Sequence, residues 1–197
     1  QEQIFEPLGM TDTHFSDDYL EIVPGRAESY APVDGEADGM FHRQINQLTA
    51  LASSSLNTTV DDFILWMKNY ETSQIGGKEI IHRMLEKGVL TSGDTLDYAH
   101  GLTVGEYRGL RNFGHGGSWA GFRTNFIRFP EEDLSIVVFC NFSTCDPAGR
   151  ALKIAEVFLE DRMGLTPAQL DESDDVTESL SLSDSELRQY SGHYRSP

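Results

Sequence analysis

Residues 114–141 read GHGGSWAGFRTNFIRFPEEDLSIVVFCN, and this stretch decides the fold. It opens with a glycine cluster around His115, continues as an extended segment, turns at Pro130 and ends in the most apolar run of the chain. The pattern predicts a strand, a turn and a second strand. Because the run LSIVVFCN shows little alternation of polar and apolar residues, we expect its strand to be packed on both faces.

Helical patterns lie on both sides of this stretch. The clearest helix is capped by Thr58 or Thr59 and carries acids in its first turn, where they suit the helix dipole. Its apolar face follows the helical period and comprises Phe63, Trp66, Met67 and Tyr70. A second helix is predicted over Lys78–Lys87, with Gly88 as its stop.

A third helix is predicted over Ala148–Arg162. Its packed face comprises Leu152, Ala155, Phe158 and Leu159. Arg108-Gly109 is flanked by extended segments and predicts a hairpin. At the other end of the chain, Pro7 and Gly9 are expected to end an N-terminal helix. Residues 16–40 read as a loop with one short extended piece.

The composition limits the partners. The 197 residues include 32 acids and 15 bases, which gives a net charge of −17. Such an excess repels phosphate backbones and anionic lipid, so we expect no nucleic-acid partner. The longest apolar run is far shorter than a membrane span, so we expect no membrane insertion.

The sequence contains no pattern for a metal or a cofactor. The six histidines are scattered, no Cys-x-x-Cys occurs, and no glycine-rich phosphate loop is present. We therefore expect neither metal nor cofactor. Cys140 and Cys145 are expected to be separate thiols, the first buried in a strand and the second in the following turn.

The residues from Gly114 to Ser118 admit two interpretations. Glycines allow another molecule to approach the backbone closely, and a histidine beside them can donate a hydrogen bond or titrate near neutrality. This combination is typical of a binding site at a sheet rim. The alternative is a tight bend at a sheet corner with a surface histidine.

No nucleophile can be found by its motif. Ser-x-x-Lys and Gly-x-Ser-x-Gly are both absent. Ser118 does not fit the second motif, because a glycine directly precedes it. Two pairs of adjacent carboxylates, Asp61 with Asp62 and Glu131 with Glu132, lie at predicted cap or turn positions, so we expect them to be solvated.

Three blocks of the sequence together resemble a known family. They are IFEPLGMTDTHF at 4–15, SLNTTVDDFILWMKNY at 55–70 and the stretch at 114–141. In order and approximate spacing they are similar to the serine β-lactamase and penicillin-binding-protein-like superfamily, in the class C β-lactamase-related branch that includes esterases and D-aminopeptidases. The resemblance extends from Ile4 to Met163.

The resemblance implies an α+β fold with an antiparallel sheet covered by helices. Residues 1–164 would form the C-terminal portion of that domain and supply its three later strands, while the first two strands are missing. The expected strands are Leu110–Gly116, Phe122–Phe129 and Leu134–Asn141. The last would then have an unpaired apolar edge, which packs with the missing N-terminal segment, a second copy or a swapped element.

Beyond residue 164 the composition changes. Residues 165–182 are predicted to be an acidic linker, since Asp171 to Glu186 contains seven acids and no base. Residues 183–197 resemble the start of the lipocalin-like domain that follows the hydrolase domain in some members of the branch.

Of the three site motifs of the family, this chain matches one. Ser-x-x-Lys and Tyr-x-Asn are expected upstream, and His115-Gly116-Gly117 falls on the third, where lysine is more usual. The resemblance implies that the Ser118 N–H is one oxyanion donor and that Gly116 to Ser118 pair with the substrate main chain. Gly117 would let the substrate lie flat, and Trp119 is expected to contact it.

These observations together predict part of a serine hydrolase that acts through an acyl-enzyme on a small-molecule or peptide substrate. The substrate would be a β-lactam, a D-amino-acid peptide or a carboxylic ester, and this chain alone would be inactive because it lacks the nucleophile. One alternative is a non-catalytic binding or scaffold protein that retains the fold. Another is an unrelated α+β domain with an accidental His-Gly-Gly turn. By resemblance, the expected compartment is periplasmic or extracellular.

Overall fold

The computed structural model describes residues 1–33, 39–48, 50–51 and 53–164. Its helices are α1 Phe5–Leu8, α2 Val60–Thr72, α3 Gly77–Met84 and α4 Pro147–Leu159. Its strands are β1 His14–Phe15, β2 Ser29–Pro32, β3 Phe41–Gln44, β4 Leu56–Asn57, β5 Thr103–Tyr107, β6 Leu110–Trp119, β7 Phe122–Phe129 and β8 Leu134–Cys140. Short 3-10 turns lie at Pro130–Glu132 and Glu160–Arg162. The helices and strands confirm the predicted α+β class.

The main sheet has four antiparallel strands in the order β5-β6-β7-β8. The predicted hairpin at Arg108-Gly109 is confirmed, and it joins β5 to β6. Both turn residues have positive φ, 50° and 83°, as a two-residue hairpin turn with the twist of the strands requires. The three expected later strands are β6, β7 and β8, and the predicted hairpin adds β5 beside them.

β6 is longer than predicted. It continues beyond Gly116 to Trp119, because β7 pairs with it along its whole length and Trp119 still lies opposite Phe122. The next residue, Ala120, has a φ of 48° and turns the chain into β7. The glycine cluster therefore lies within a strand and not in a loop after it.

Helix α4 covers one face of the sheet. The main core comprises Phe129, Ile136, Ala151, Ala155 and Leu159. The three helix residues follow a spacing of four, which places them on one stripe. Phe158 lies off that stripe and is 70% exposed, so its prediction as a packed residue was wrong.

Helix α2 covers the other face through aromatic contacts. The Thr59 side chain caps the helix by accepting from the Asp62 N–H at 3.2 Å. Phe63 packs on Phe126 and Phe139, with ring centroids 5.3 and 5.6 Å apart. The predicted cap and apolar face are confirmed, and β8 is packed by helices on both faces as expected.

Helix α3 is shorter than predicted and ends at Met84. Beyond it, the N–H groups of Leu85 and Glu86 bond to carbonyls three residues earlier, at 3.0 and 3.1 Å, which tightens the last turn. The N-terminal helix also differs from the prediction, since Pro7 lies inside α1 and only Gly9 ends it.

One carboxylate of each adjacent pair is less solvated than expected, whereas Asp61 and Glu131 are exposed as predicted. Asp62 is 5% exposed and accepts hydrogen bonds from the Thr13 hydroxyl at 2.6 Å and the Asp12 N–H at 2.8 Å. The Glu132 side chain is 7% exposed and pairs with Arg162 at 3.2 Å. The donors come from distant segments of the chain, which a reading of local cap positions could not reveal.

The short extended piece expected within the loop at 16–40 is β2, which pairs antiparallel with β3. Cys140 and Cys145 form a disulfide, so the prediction of separate thiols was wrong. The turn after β8 brings their Cα atoms to 6.3 Å, which is within the usual span of a disulfide.

The first compact unit runs from Gln1 to Met163. The predicted linker and the predicted start of a further domain, 165–182 and 183–197, lie outside the described residues. Across the part of the chain that is described, none of the helices has both the length and the apolar character that a membrane crossing needs.

Candidate functional site

The outer edge of β6 changes character at Gly114. β5 pairs with Leu110 to Gly114, and the register ends where Thr103 lies opposite Gly114. From His115 to Trp119 the strand pairs with β7 alone among the described residues. These five residues are all exposed. The predicted site residues therefore form a continuous open strand edge.

Hydrogen bonds at the end of β5 show which backbone groups face this edge. The carbonyl of Gly114 accepts from the Thr103 hydroxyl at 2.9 Å, so it faces outward. The Val104 N–H donates to the Asp97 carbonyl at 3.0 Å, so it points away from β6. Its neighbour Thr103 then faces β6, which agrees with a Gly114 carbonyl that faces β5. Successive residues of an antiparallel strand present their backbone groups to opposite sides.

The N–H and C=O groups of Gly116 and Ser118 consequently face the open edge. Those of His115, Gly117 and Trp119 face β7. An extended ligand can pair with the outward groups as an added strand. The Ser118 N–H, the group expected from sequence to be an oxyanion donor, lies on the accessible side.

Side chains along the edge alternate between the two faces of the sheet. His115, Gly117 and Trp119 share the face covered by α2, and His115 lies opposite Phe126 on β7. Ser118 belongs to the face covered by α4. Because their side chains leave the strand in opposite directions, His115 cannot activate the Ser118 hydroxyl. Ser118 faces the open edge only through its backbone N–H and C=O groups.

The glycines of the cluster serve different purposes. A Cβ at Gly114 would meet the Phe126 carbonyl oxygen, so the sheet itself requires glycine there. A Cβ at Gly117 would meet the Thr124 hydroxyl. At Gly116 the nearest atom would be the Thr124 carbonyl oxygen, at 3.5 Å, which is ordinary contact. The fold therefore tolerates a side chain at Gly116, and its absence leaves the edge open to a ligand.

Two loops hold the ends of the open edge. The Tyr98 hydroxyl lies 3.0 Å from Nε2 of His115, and the Trp119 Nε1–H donates to Oδ1 of Asn46 at 2.8 Å. Neither Tyr98 nor Asn46 was predicted from the sequence. They lie 17 and 73 positions from their partners, and no local pattern marks either residue.

The perturbed tyrosines lie beside the paired half of β6. Burial raises the pKa of Tyr70 to about 12, and a hydrogen bond with Trp66 partly opposes this rise. Burial also raises the pKa of Tyr107, with its hydrogen bond to Glu156 as the next cause. Tyr70 packs on Phe113 of β6, with ring centroids 4.8 Å apart, and Tyr107 lies opposite Leu110 of β6. Within the described ranges no cluster of three or more metal-ligating side chains occurs.

Comparisons with known proteins identify the family of the chain. The family described as Beta-lactamase matches residues 1–158. A D-aminopeptidase of Brucella ovis is 25% identical over 170 residues, which cover 85% of this chain and 30% of the relative. The chain thus spans about a third of the length of the curated relatives it matches.

Two solved structures share the fold. The octameric penicillin-binding protein homologue from Pyrococcus abyssi aligns with a TM-score of 0.69 and 24% identity, over 81% of this chain and 36% of that one. The D-stereospecific amidohydrolase from Streptomyces sp. aligns with a TM-score of 0.61 and 14% identity, over 77% and 45%. The chain belongs to the Beta-lactamase family, within the serine β-lactamase and penicillin-binding-protein-like superfamily.

Proposed function

We propose that this chain forms the sheet-edge wall of a serine hydrolase that cleaves amide or ester bonds through an acyl-enzyme. The observation that carries the proposal is the open edge of β6, where the backbone groups of Gly116 and Ser118 face outward. The similarity to D-aminopeptidases favours a substrate with a D-amino acid. A D-amino-acid amide or peptide is therefore our first substrate class, with carboxylic esters and β-lactams as alternatives.

In this proposal the substrate lies along β6 as an additional strand. The Ser118 N–H donates to the oxygen that becomes negative as the carbonyl is attacked, and such donors stabilise the tetrahedral intermediate. His115 stands where the family usually has lysine, so it offers a ring N–H donor in place of a fixed charge. The nucleophile and its base come from outside these residues, since Ser-x-x-Lys is absent from the sequence.

The proposal can be tested by removing the backbone N–H of Ser118. A longer protein that adds the gene-encoded segment before Gln1 would be assayed with a D-alanine anilide, a p-nitrophenyl ester and a chromogenic cephalosporin. We expect Ser118→Pro, which removes the outward N–H, to lower kcat about 100-fold or more. Because that N–H does not bond to β7, the β6–β7 hydrogen bonds are retained. Ser118→Ala keeps the N–H and should lower kcat far less.

The chain alone should remain unlabelled by a fluorophosphonate, whereas the longer protein should be labelled. Labelling of the chain alone would show that the nucleophile lies within this chain, contrary to the proposal. Equal activity of the Ser118→Pro and Ser118→Ala proteins would contradict the oxyanion role. If the longer protein shows neither labelling nor turnover, the non-catalytic scaffold replaces the hydrolase as the better account.

We also propose that the outer edge of β8 is an assembly surface. Among the described residues no strand pairs with this edge, and the strand is apolar, with Ile136 buried and Val137 and Val138 half-buried. Apolar strand edges recruit another strand when left unpaired. The occupant would be a strand of the missing N-terminal segment, or a second copy when that segment is absent.

Export to the periplasm or the cell exterior is likewise a proposal. The Cys140–Cys145 disulfide is compatible with an oxidising compartment. Mass spectrometry of the protein from fractionated cells, with alkylation before and after reduction, would test it. Both thiols free in protein recovered from the cytosol would contradict it.

A further inference from the structure

Tyr98 makes a directed contact with the candidate site. Its hydroxyl oxygen is 3.0 Å from Nε2 of His115, and the two rings meet edge to face with centroids 6.0 Å apart. Both side chains are exposed, so burial does not force this arrangement. The hydrogen bond and the ring contact together fix the plane of the imidazole.

The backbone of Tyr98 is itself anchored next to the sheet. Its carbonyl accepts from the Gly88 N–H at 2.8 Å, and it forms an antiparallel bridge with Thr103, the first residue of β5. The preceding residue, Asp97, accepts from the Val104 N–H. Tyr98 is thus held by β5, which pairs with the same strand that carries His115.

This contact leaves one ring nitrogen for a ligand. A neutral imidazole has one N–H donor and one lone-pair acceptor, and the bond made by one nitrogen decides which of them carries the proton. Nε2 is occupied by Tyr98. Within the described part of the chain, the His115 ring makes no second hydrogen bond. Nδ1 is therefore the atom that a ligand on the open edge can engage.

The direction of the hydrogen bond follows from the two groups. A phenol O–H is a good donor, whereas its oxygen is a weak acceptor because its lone pair is delocalised into the ring. We propose that Tyr98 is a positioning residue that donates to Nε2 and thereby presents Nδ1–H of His115 as a donor. The partner it suits is a carbonyl or carboxylate oxygen of a substrate on the open edge, and this part rests on the proposed function.

The hydrogen-bond direction can be tested on this chain alone. Two-bond ¹⁵N–¹H spectra of the histidine rings at alkaline pH report which nitrogen is protonated. His115→Gln would assign the His115 signals among the six histidines. We expect the Nδ1–H tautomer in the wild type and a shift towards Nε2–H in Tyr98→Phe. Tyr107→Phe is the matched control, because Tyr107 bonds to Glu156 and should leave the signals of His115 unchanged.

Two outcomes would overturn the proposal. One is an Nε2–H tautomer in the wild type, and the other is an identical tautomer in Tyr98→Phe. Neither depends on catalysis, so failure of the hydrolase proposal would be seen separately, as the absence of turnover in the longer protein.

In an active longer protein, Tyr98→Phe should raise KM about threefold to tenfold and change kcat little, as expected when one modest hydrogen bond is lost. A fall in kcat with an unchanged KM would contradict a role in presenting a donor to the ground-state substrate.

Discussion

The two open edges of the sheet differ in chemistry. At β6, the edge from His115 to Trp119 is polar, contains two glycines and is held at both ends by loop residues. At β8, the strand is mostly aliphatic, and among the described residues β2 bonds to the chain only beyond the end of β8, where the Tyr30 N–H donates to the Asn141 carbonyl at 2.9 Å. The first suits a ligand that binds and leaves, because its groups are hydrated when free. The second suits a permanent strand, because apolar surface is costly to leave exposed.

The difference arises within β6 itself. Its first half is covered by β5 on one edge and by Tyr70 on the α2 face, where Tyr70 and Phe113 have ring centroids 4.8 Å apart. Its second half begins where β5 ends. One strand thus contains both a structural anchor and a binding edge, and Gly114 marks the boundary. The predictions below test this division.

The largest effect is expected at that boundary. In Gly114→Ala the new Cβ collides with the Phe126 carbonyl, so β6 and β7 must separate locally. We expect a loss of about 3 kcal/mol in the free energy of unfolding, at the upper end of overpacking effects. Urea denaturation followed by circular dichroism measures it. A change below about 1 kcal/mol would show that the two strands are less tightly apposed at this point.

Tyr70, which packs on the covered half of β6, should lose its proton in alkali. The pKa of Tyr70 is raised from 10.0 to about 12, so the folded state holds this proton more tightly than the unfolded state does. Stability from this group is fully present below pH 10 and is lost as pH rises towards 12. The loss is at most about 3 kcal/mol, since each pKa unit corresponds to somewhat more than about 1 kcal/mol.

Denaturation curves below pH 10 and near pH 12 would measure this loss. Tyr70→Phe has no proton to lose, so its stability should fall less over the same range. An equal fall in both proteins would show that Tyr70 is not the group responsible.

The β8 edge can be blocked selectively. The backbone groups of His115 bond to β7, so those of its partner Phe126 face β6 and those of the next residue, Ile127, face β8. Ile127 lies opposite Ile136, so the backbone groups of Ile136 face β7. The N–H of the following residue, Val137, therefore faces the free edge. Val137→Pro therefore removes a donor from the free edge and keeps the ladder to β7.

We expect the isolated chain to self-associate and Val137→Pro to weaken association at least about tenfold, or about 1.4 kcal/mol. Sedimentation velocity or light scattering over a concentration series would measure it. In the control Val138→Pro, the proline removes an N–H that faces β7, so this protein should lose stability. A stable monomer of the unmodified chain would argue against the β8 edge as an assembly surface.

The smallest effect on folding is expected at the binding edge. Gly116→Ala adds a methyl group whose nearest neighbour is 3.5 Å away, so stability should change by less than about 0.5 kcal/mol. In the longer protein the same methyl group stands beside the outward backbone and should raise KM. Thermal unfolding with parallel kinetics separates the two effects. A large loss of stability in Gly116→Ala would show that the fold requires glycine at position 116 as it does at position 114.

Local patterns in the sequence predicted several elements well. The Thr59 cap, the aromatic face of α2 and the Arg108-Gly109 turn depend on neighbours within a few residues, so their signals are local. The prediction was weaker where partners are distant. The burial of Asp62 depends on Thr13, and the length of β6 depends on its pairing with β7.

The strand–turn–strand unit at 114–141 and the His-Gly-Gly cluster could be located from the sequence, because periodicity and glycine chemistry act over short distances, and the resemblance to a known family predicted the class of fold. Which backbone groups face outward became known from the assembled sheet, since that depends on where β5 stops beside β6. It also placed Tyr98 against His115 and Asn46 against Trp119. Such contacts join residues that chain connectivity leaves far apart, so they arise only when the sheet assembles.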